Sequence, residues 1–167
     1  MRPDRGSVRD LVRHRHVLPR FRDAFSGLRQ AYREEPNLRF HLFAGTLVFV
    51  AGFCVGLDAW EKAYLAATVA AVLLAEMVNT AVERAVDFAA AGRRHPLAGQ
   101  AKEIAAGAVL LAALHALFAA GFVFLYNRAL VVTLNAVIDG VAEHPWLVLL
   151  PLAAAIAGLV GGDRGST

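Results

Sequence analysis

The chain carries a single cysteine among its 167 residues, so no disulfide can form within it, and Cys54 sits inside an apolar run as an ordinary core or lipid-facing residue. No apolar segment follows the first arginines, so the start does not read as a cleavable signal. Internal repeats and low-complexity stretches are lacking too. Positive charge is scarce beyond the first quarter: ten arginines precede Phe40, and the other seven of the seventeen basic residues are spread over the remainder. No separate basic domain with stacking aromatics accompanies those arginines, and they run straight into an apolar stretch. They read as a membrane-orientation signal rather than a nucleic-acid-binding face, despite a formal net charge of +3. What is abundant is apolar surface. With 57% hydrophobic residues and a mean hydropathy of +0.50, the sequence is too apolar for a soluble domain of this length. It is long enough for a few membrane spans and little else.

The organising stretch is Glu76-Met77-Val78-Asn79-Thr80-Ala81-Val82-Glu83-Arg84-Ala85-Val86-Asp87. It follows the apolar run 63–74 with no turn residue between, so residues 60–91 read as one long helix, apolar first and then charged. Residues three and four apart share a helix face, which puts Glu76, Asn79, Glu83 and Asp87 on one polar stripe. A carboxylate at membrane depth costs at least about 2.5 kcal/mol on insertion scales, so such residues face a cavity or a partner helix and mark function by default. A purely structural stripe that pairs helices is the competing reading.

In chain order, residues 1–18 form a basic cytoplasmic tail, in which His14 and His16 are solvated rather than metal ligands. Residues 19–35 form an amphipathic surface helix, with Phe21, Ala24, Phe25, Leu28 and Tyr32 opposite Arg22, Asp23, Ser26, Arg29, Gln30 and Arg33. Glu34-Glu35-Pro36-Asn37 ends it, and the two acids either balance Arg33 and Arg39 or complete a site with the central stripe. Span one covers about 38–57, and Asp58-Ala59-Trp60-Glu61-Lys62 is a polar turn with Trp60 as interfacial anchor. Span two is the central helix. With the tail inside, Glu83 and Asp87 return to the cytoplasmic surface, level with Glu34 and Glu35, and Glu76 stays at membrane depth. Gly92-Arg93-Arg94-His95-Pro96 is a cytoplasmic loop, followed by a helix over 97–125 that carries Lys102 and Glu103 early and spans from about residue 104. That basic helix start suits phosphates, although positive-inside flanking alone would also place Arg93, Arg94 and Lys102 there. The small residues Ala105, Ala106, Gly107, Ala112 and Ala113 predict close packing inside a bundle, with His115 a packing residue.

Residues 126–167 form a C-terminal extension. Leu130, Leu134, Val137, Ile138 and Val141 predict an amphipathic helix at the outer interface. His144-Pro145-Trp146 then opens an apolar helix over 145–161 that contains Pro151; it is a candidate fourth span, shorter than the usual length, and whether it crosses is left open. The fold class is therefore an all-α membrane protein: a surface helix, three spans and an extension with a further apolar helix.

Two acid groups, a basic loop and an early-helix lysine converge on one face. Magnesium takes carboxylates together with phosphate oxygens and water, and Glu35 and Glu83 are the natural pair for it. Glu76, deeper, sits where a lipid hydroxyl would lie and can act as general base. No Gly-rich nucleotide loop of the soluble kinds is present, so a phosphoryl-transfer site here has an unusual build.

The pattern Glu76-x-x-Asn79-Thr80-Ala81-Val82-Glu83-x-x-x-Asp87 resembles the signature of the bacterial diacylglycerol kinase/undecaprenol kinase family of small membrane kinases. Phe25-Ser26-Gly27-Leu28 ahead of Glu35 and Arg39, His95-Pro96-Leu97-Ala98, and the run from Ala101-Lys102-Glu103-Ile104 to Leu110 carry the same resemblance. It implies a homotrimer with active sites shared between protomers at the cytoplasmic side of the bacterial inner membrane, and Mg-ATP-dependent phosphorylation of a lipid alcohol. It implies Glu76 as catalytic base, Glu35 and Glu83 as metal ligands, Asn79 and Arg39 as substrate contacts, and His95, Lys102 and Glu103 as nucleotide contacts. Glu103 stands where the family usually has aspartate, and nothing in the minimal family member corresponds to the chain beyond Leu125. His95-Pro96-Leu97-Ala98 and Ala105-Ala106-Gly107-Ala108 look like the undecaprenol branch, with diacylglycerol as the alternative lipid. A non-enzymatic membrane subunit or cation carrier is the reading from another class.

Overall fold

A computed structural model describes residues 17–93, 95–126 and 130–162. Residues 1–16 with His14 and His16, Arg94, residues 127–129 and residues 163–167 lie outside the described residues. Among the described residues every regular element is an α-helix: α1 Val17–Glu34, α2 Pro36–Val55, α3 Ala59–Ala90, α4 Pro96–Leu125, α5 Leu130–Glu143 and α6 Trp146–Gly162. The all-α membrane class expected from the sequence is what is found.

One residue separates α1 from α2. Pro36 excludes the helical region for the residue before it, and Glu35 adopts φ −103°, ψ 105°. Pro36 then opens α2, where a missing N–H costs nothing. Glu35 is thus the N-cap of α2, yet its carboxylate makes no capping bond and turns instead toward Arg84 of α3. The open carbonyls at the end of α1 are met by Arg39, whose Nη1 donates to Tyr32 O at 3.1 Å and Arg33 O at 2.7 Å.

At the far end of α2, Gly56 takes the left-handed conformation (φ 69°), and its N–H and that of Leu57 bond back to Phe53 O and Gly52 O. The reversal buries Leu57 against Leu65 and Val123, the centre of a small core. Asp58 next caps α3 in a reciprocal box: Glu61 N–H donates to Asp58 Oδ1 at 2.8 Å, and Asp58 N–H to Glu61 Oε2 at 2.9 Å. The polar turn is therefore the start of α3 itself.

Three helices, α2, α3 and α4, are long and apolar enough to cross a membrane; α5 and α6 meet the same test only as a pair bent by 81°. At about 1.5 Å per residue the 32-residue α3 is about 48 Å long, against a hydrocarbon core of about 30 Å. Counting about 20 residues from the charged Lys62, Glu76 stays at membrane depth while Glu83 and Asp87 emerge beyond it. α3 packs along α4 and against α2. At Gly45 an added Cβ would stand 2.6 Å from Val69 Cγ1, so α2 lies against α3 at a distance only glycine permits.

The extension folds back on the bundle. Thr133 Oγ1 donates to Phe124 O at 2.9 Å, tying α5 to the end of α4. A Cβ at Gly140 would lie 2.5 Å from Cys54 Sγ, so α5 seats on α2 at that glycine and Cys54 is a packing residue. Of the predicted apolar stripe of α5, Val137 and Val141 turn inward, whereas Leu130, Leu134 and Ile138 are exposed; the inner face is led by Thr133 and Gly140. α6 runs on along α2 and reaches α1. His115 meets Tyr64 edge-on, with ring centroids 6.2 Å apart.

Candidate functional site

The buried face of α3 is Leu65, Thr68, Val72, Glu76 and Thr80, a step of three and then fours. Glu76 therefore belongs to an inward ridge and is only 5% exposed. One side chain on α2 reaches it: His41 Nε2 lies 3.2 Å from Glu76 Oε1. The stripe continues upward. Asn79 Nδ2 donates to Glu83 Oε1 at 3.0 Å, which aligns both residues on one face, while Asn79 Oδ1 is buried without a partner. The carboxylates of Glu35 and Glu83 both lie within electrostatic range of Glu76.

Arg84 joins the α1–α2 break to α3. Its Nη2 is 2.8 Å from Glu34 Oε2 and 3.3 Å from Glu35 Oε1, with side chains from about a quarter to a half exposed. Exposed pairs of this kind contribute about 0–1 kcal/mol, so the link positions the acids more than it stabilises the fold. Neither Arg33 nor Arg39 supplies the counter-charge; Arg39 is spent on the carbonyls of α1 and lines a cleft of about 320 Å³ that faces α6. Arg39 is thereby placed two residues from His41, on a different face of α2 from the Glu76 contact.

A second cluster sits where α3 gives way to α4. Ala91 and Gly92 take successive left-handed conformations (φ 47° and 77°) and turn the chain, and Pro96 starts α4. His95 caps α4, its Nδ1 accepting from Leu97 N–H at 3.2 Å, which assigns the acceptor role to that nitrogen and leaves Nε2 outward. Lys102 Nζ donates to Asp87 Oδ1 at 2.6 Å. Asp87, Arg93, His95, Gly99 and Lys102 line a cleft of about 500 Å³. Glu103 is exposed and makes no ion pair among the described residues.

The stripe on α3 connects the two clusters. From Glu76 to Asp87 is eleven residues, about 16 Å along the helix axis. A buried carboxylate thus stands at one end of a polar track, and a cleft that gathers Arg93, Lys102, His95 and Asp87 at the other. No three His, Cys, Asp or Glu side chains of the described residues gather as a closed metal cage. Magnesium does not require one, since it binds through one or two carboxylates and completes its shell with phosphate oxygens and water. The hard oxygen donors Glu35 and Glu83, together with the unpartnered Asn79 Oδ1, fit such an open site.

His41 and Arg84 are the participants that sequence reasoning did not single out. Both act across a helix interface, and their partners are 35 and about 50 positions away in the chain. A histidine one turn before the buried Gly45, on the α2 face that meets α3, is the signal that was there to read.

Residues 22–124 match the family described as prokaryotic diacylglycerol kinase. The diacylglycerol kinase of Synechocystis sp. is 40% identical over 110 residues, which are 66% of this chain and 63% of that protein. The undecaprenol kinase of Bacillus subtilis is 37% identical over 100 residues, 58% of this chain and 80% of the relative. The diacylglycerol kinase of Escherichia coli K12 is 33% identical over 89 residues, 53% of this chain and 72% of the relative. No solved structure matches the chain. The match takes in nearly all of the surface helix and the three long apolar helices, and the chain belongs to the prokaryotic diacylglycerol kinase family.

Proposed function

We propose that the protein is an ATP- and magnesium-dependent kinase of a membrane lipid alcohol, with undecaprenol as the acceptor. The observation that carries this reading is the placement of Glu76: a carboxylate 5% exposed at membrane depth, at the foot of a polar track that ends in the cleft lined by Arg93, Lys102, His95 and Asp87. The lipid hydroxyl gives its proton to Glu76 as its oxygen bonds the γ-phosphorus of ATP. The bond from that phosphorus to the bridging oxygen breaks, and ADP leaves with the electron pair. Lys102 and Arg93 offset the phosphate charge, His95 offers its Nε2–H as a donor, and Asn79 orients polar groups between the two ends. Magnesium held by Glu35 and Glu83 would neutralise charge on the transferring phosphate.

Within this reading the sites form in a homotrimer in the inner membrane, with the N-terminus cytoplasmic, as the ten arginines before Phe40 favour. The exposed apolar side chains along α4, among them Leu110, Leu111, Leu117 and Phe118, and the open space around Gly107 leave room for neighbouring protomers or lipid. The resemblance of the 95–98 and 105–108 segments, and the 37% identity to the Bacillus protein, support undecaprenol. Diacylglycerol is the second reading, favoured by the 40% identity to the Synechocystis protein.

The test is transfer of labelled phosphate from ATP by the purified full chain in mixed micelles, with undecaprenol and diacylglycerol side by side. Faster turnover of undecaprenol is the expected result. Preference for diacylglycerol moves the same site to the second reading, and no transfer to either from a well-folded protein overturns the kinase.

A further inference from the structure

Glu76 is approached from α2 by a side chain that neither the family pattern nor the proposed chemistry has used. We propose that His41 is the positioning residue of the Glu76 carboxylate: its Nε2–H holds Oε1, so that Oε2 stays aimed at the hydroxyl of the lipid alcohol. The inference rests on the proposed lipid kinase reading and deepens it.

Four observations carry it. The separation is 3.2 Å, and the two side chains are largely withdrawn from solvent, at 21% and 6% exposure, so the contact competes with little water. The helix crossing that produces it is fixed next to it. Gly45 is one turn beyond His41 and lies so close to Val69 that a Cβ would stand 2.6 Å from Val69 Cγ1. Leu38, one turn before His41, is buried on the same face. The imidazole is also bounded by the Phe40 ring, edge-on at 5.5 Å between centroids. Finally, a cleft of about 300 Å³ between α2, α3 and α4 is lined by apolar side chains and has His41 as its one polar side chain, so an apolar chain lying there would end at the His41–Glu76 pair.

The chemistry asks for such a group. A carboxylate base has two oxygens and free rotation about its last bond, and only one orientation presents a lone pair to the hydroxyl. A neutral imidazole that donates from Nε2 fixes one oxygen and leaves the other open, much as an orienting partner holds the base of a catalytic triad. During transfer the lipid hydroxyl proton goes to Glu76 Oε2, and His41 keeps its own proton throughout. Glu35 and Glu83 approach Glu76 as like charges, so a donor on Oε1 also opposes their displacement of the carboxylate.

The experiment compares His41→Leu, His41→Gln, His41→Asn, Glu76→Gln and the double variant His41→Leu/Glu76→Gln in mixed micelles, at saturating lipid, with assembly checked by size-exclusion in detergent. His41→Leu is expected to lower kcat by roughly 10- to 100-fold with KM for ATP unchanged, the scale of a misplaced reacting group. His41→Gln, whose amide reaches as far as Nε2, restores most of the rate; His41→Asn, whose amide stops at the level of Nδ1, does not. On the Glu76→Gln background His41→Leu adds no further loss, because residues that act as a unit are not additive. Wild-type kcat in His41→Leu, equal rates in the Gln and Asn variants, or a full additional loss in the double variant overturns the positioning role. A wild-type rate in Glu76→Gln overturns the base itself, which separates failure of the function from failure of this inference. If His41→Leu does not assemble, the contrast between the Gln and Asn variants decides alone.

Discussion

Lys102 and Asp87 meet at 2.6 Å, with the lysine about one-third and the aspartate two-thirds exposed, so the pair contributes little to stability. In the proposed reaction the pair holds a cation at the mouth of the cleft, where phosphate would displace the carboxylate. Lys102→Met is therefore expected to raise KM for ATP by roughly 10- to 100-fold, the loss of one charge-assisted contact, with little change in thermal stability. An unchanged KM in a steady-state titration would remove Lys102 from the nucleotide site. Glu83 accepts from Asn79, and Glu83→Gln is expected to raise the magnesium concentration for half-maximal rate by about tenfold or more. A titration that overlays the wild type would contradict the ligand role. The spacing of Glu76, Asn79, Glu83 and Asp87 was legible in the sequence because all four lie on one helix, where 3.6 residues per turn decides who shares a face. The partners His41 and Arg84 were not, because a contact across helices depends on crossing distance, here set by Gly45 against Val69. Arg39, a substrate contact by resemblance alone, has its Nη1 on the carbonyls that end α1 and its Nε buried without a partner, an arrangement that no spacing within one helix announces.

At the level of elements, the boundaries follow residues with simple backbone consequences. Pro36 ends α1 one residue early by acting on Glu35, Gly56 closes α2, and Pro96 opens α4. The extension is held by two small features, the Thr133 bond to Phe124 and the seat of Gly140 on Cys54. Gly140→Leu would drive a side chain into Cys54 and should detach α5, seen as faster proteolysis after Tyr126 and a thermal midpoint lower by several degrees, with an overpacking cost of about 1–3 kcal/mol. An unaltered digestion pattern would show that α5 is not seated there. Because α5 and α6 pack on the α2 face away from Glu76, deletion of everything after Tyr126 is expected to preserve phosphate transfer per folded protein. Loss of transfer together with loss of assembly would make the extension structural. The amphipathic pattern of α5 pointed to Leu130, Leu134 and Ile138, which stay exposed, because in lipid apolar faces need not turn inward and small residues make the contacts.

On the scale of the molecule, few apolar side chains of the described residues are buried. Leu57, Leu65 and Val123 form its core cluster, while Phe49, Phe53, Leu117 and Phe118 remain exposed. In water such a surface would aggregate; in a bilayer it is the ordinary solvent-facing side of a multi-pass protein. The membrane also gives the site its logic. α3 is longer than the hydrocarbon is thick, so one helix carries a carboxylate in lipid and its polar continuation outside. In the proposed reaction, a lipid alcohol and a water-soluble phosphate donor would then meet without either leaving its own phase.

The most direct measurement is phosphate transfer from labelled ATP to a lipid alcohol by wild-type protein and by Glu76→Gln, in the same micelles and with both shown to be equally assembled. Measurable lipid phosphate from the wild type, and a loss of about a hundredfold or more in the variant, is the predicted result for removal of a catalytic base whose own contribution is about 10²–10⁴-fold. Equal transfer by both proteins would contradict the account, because the buried carboxylate on α3 would then have no part in the chemistry.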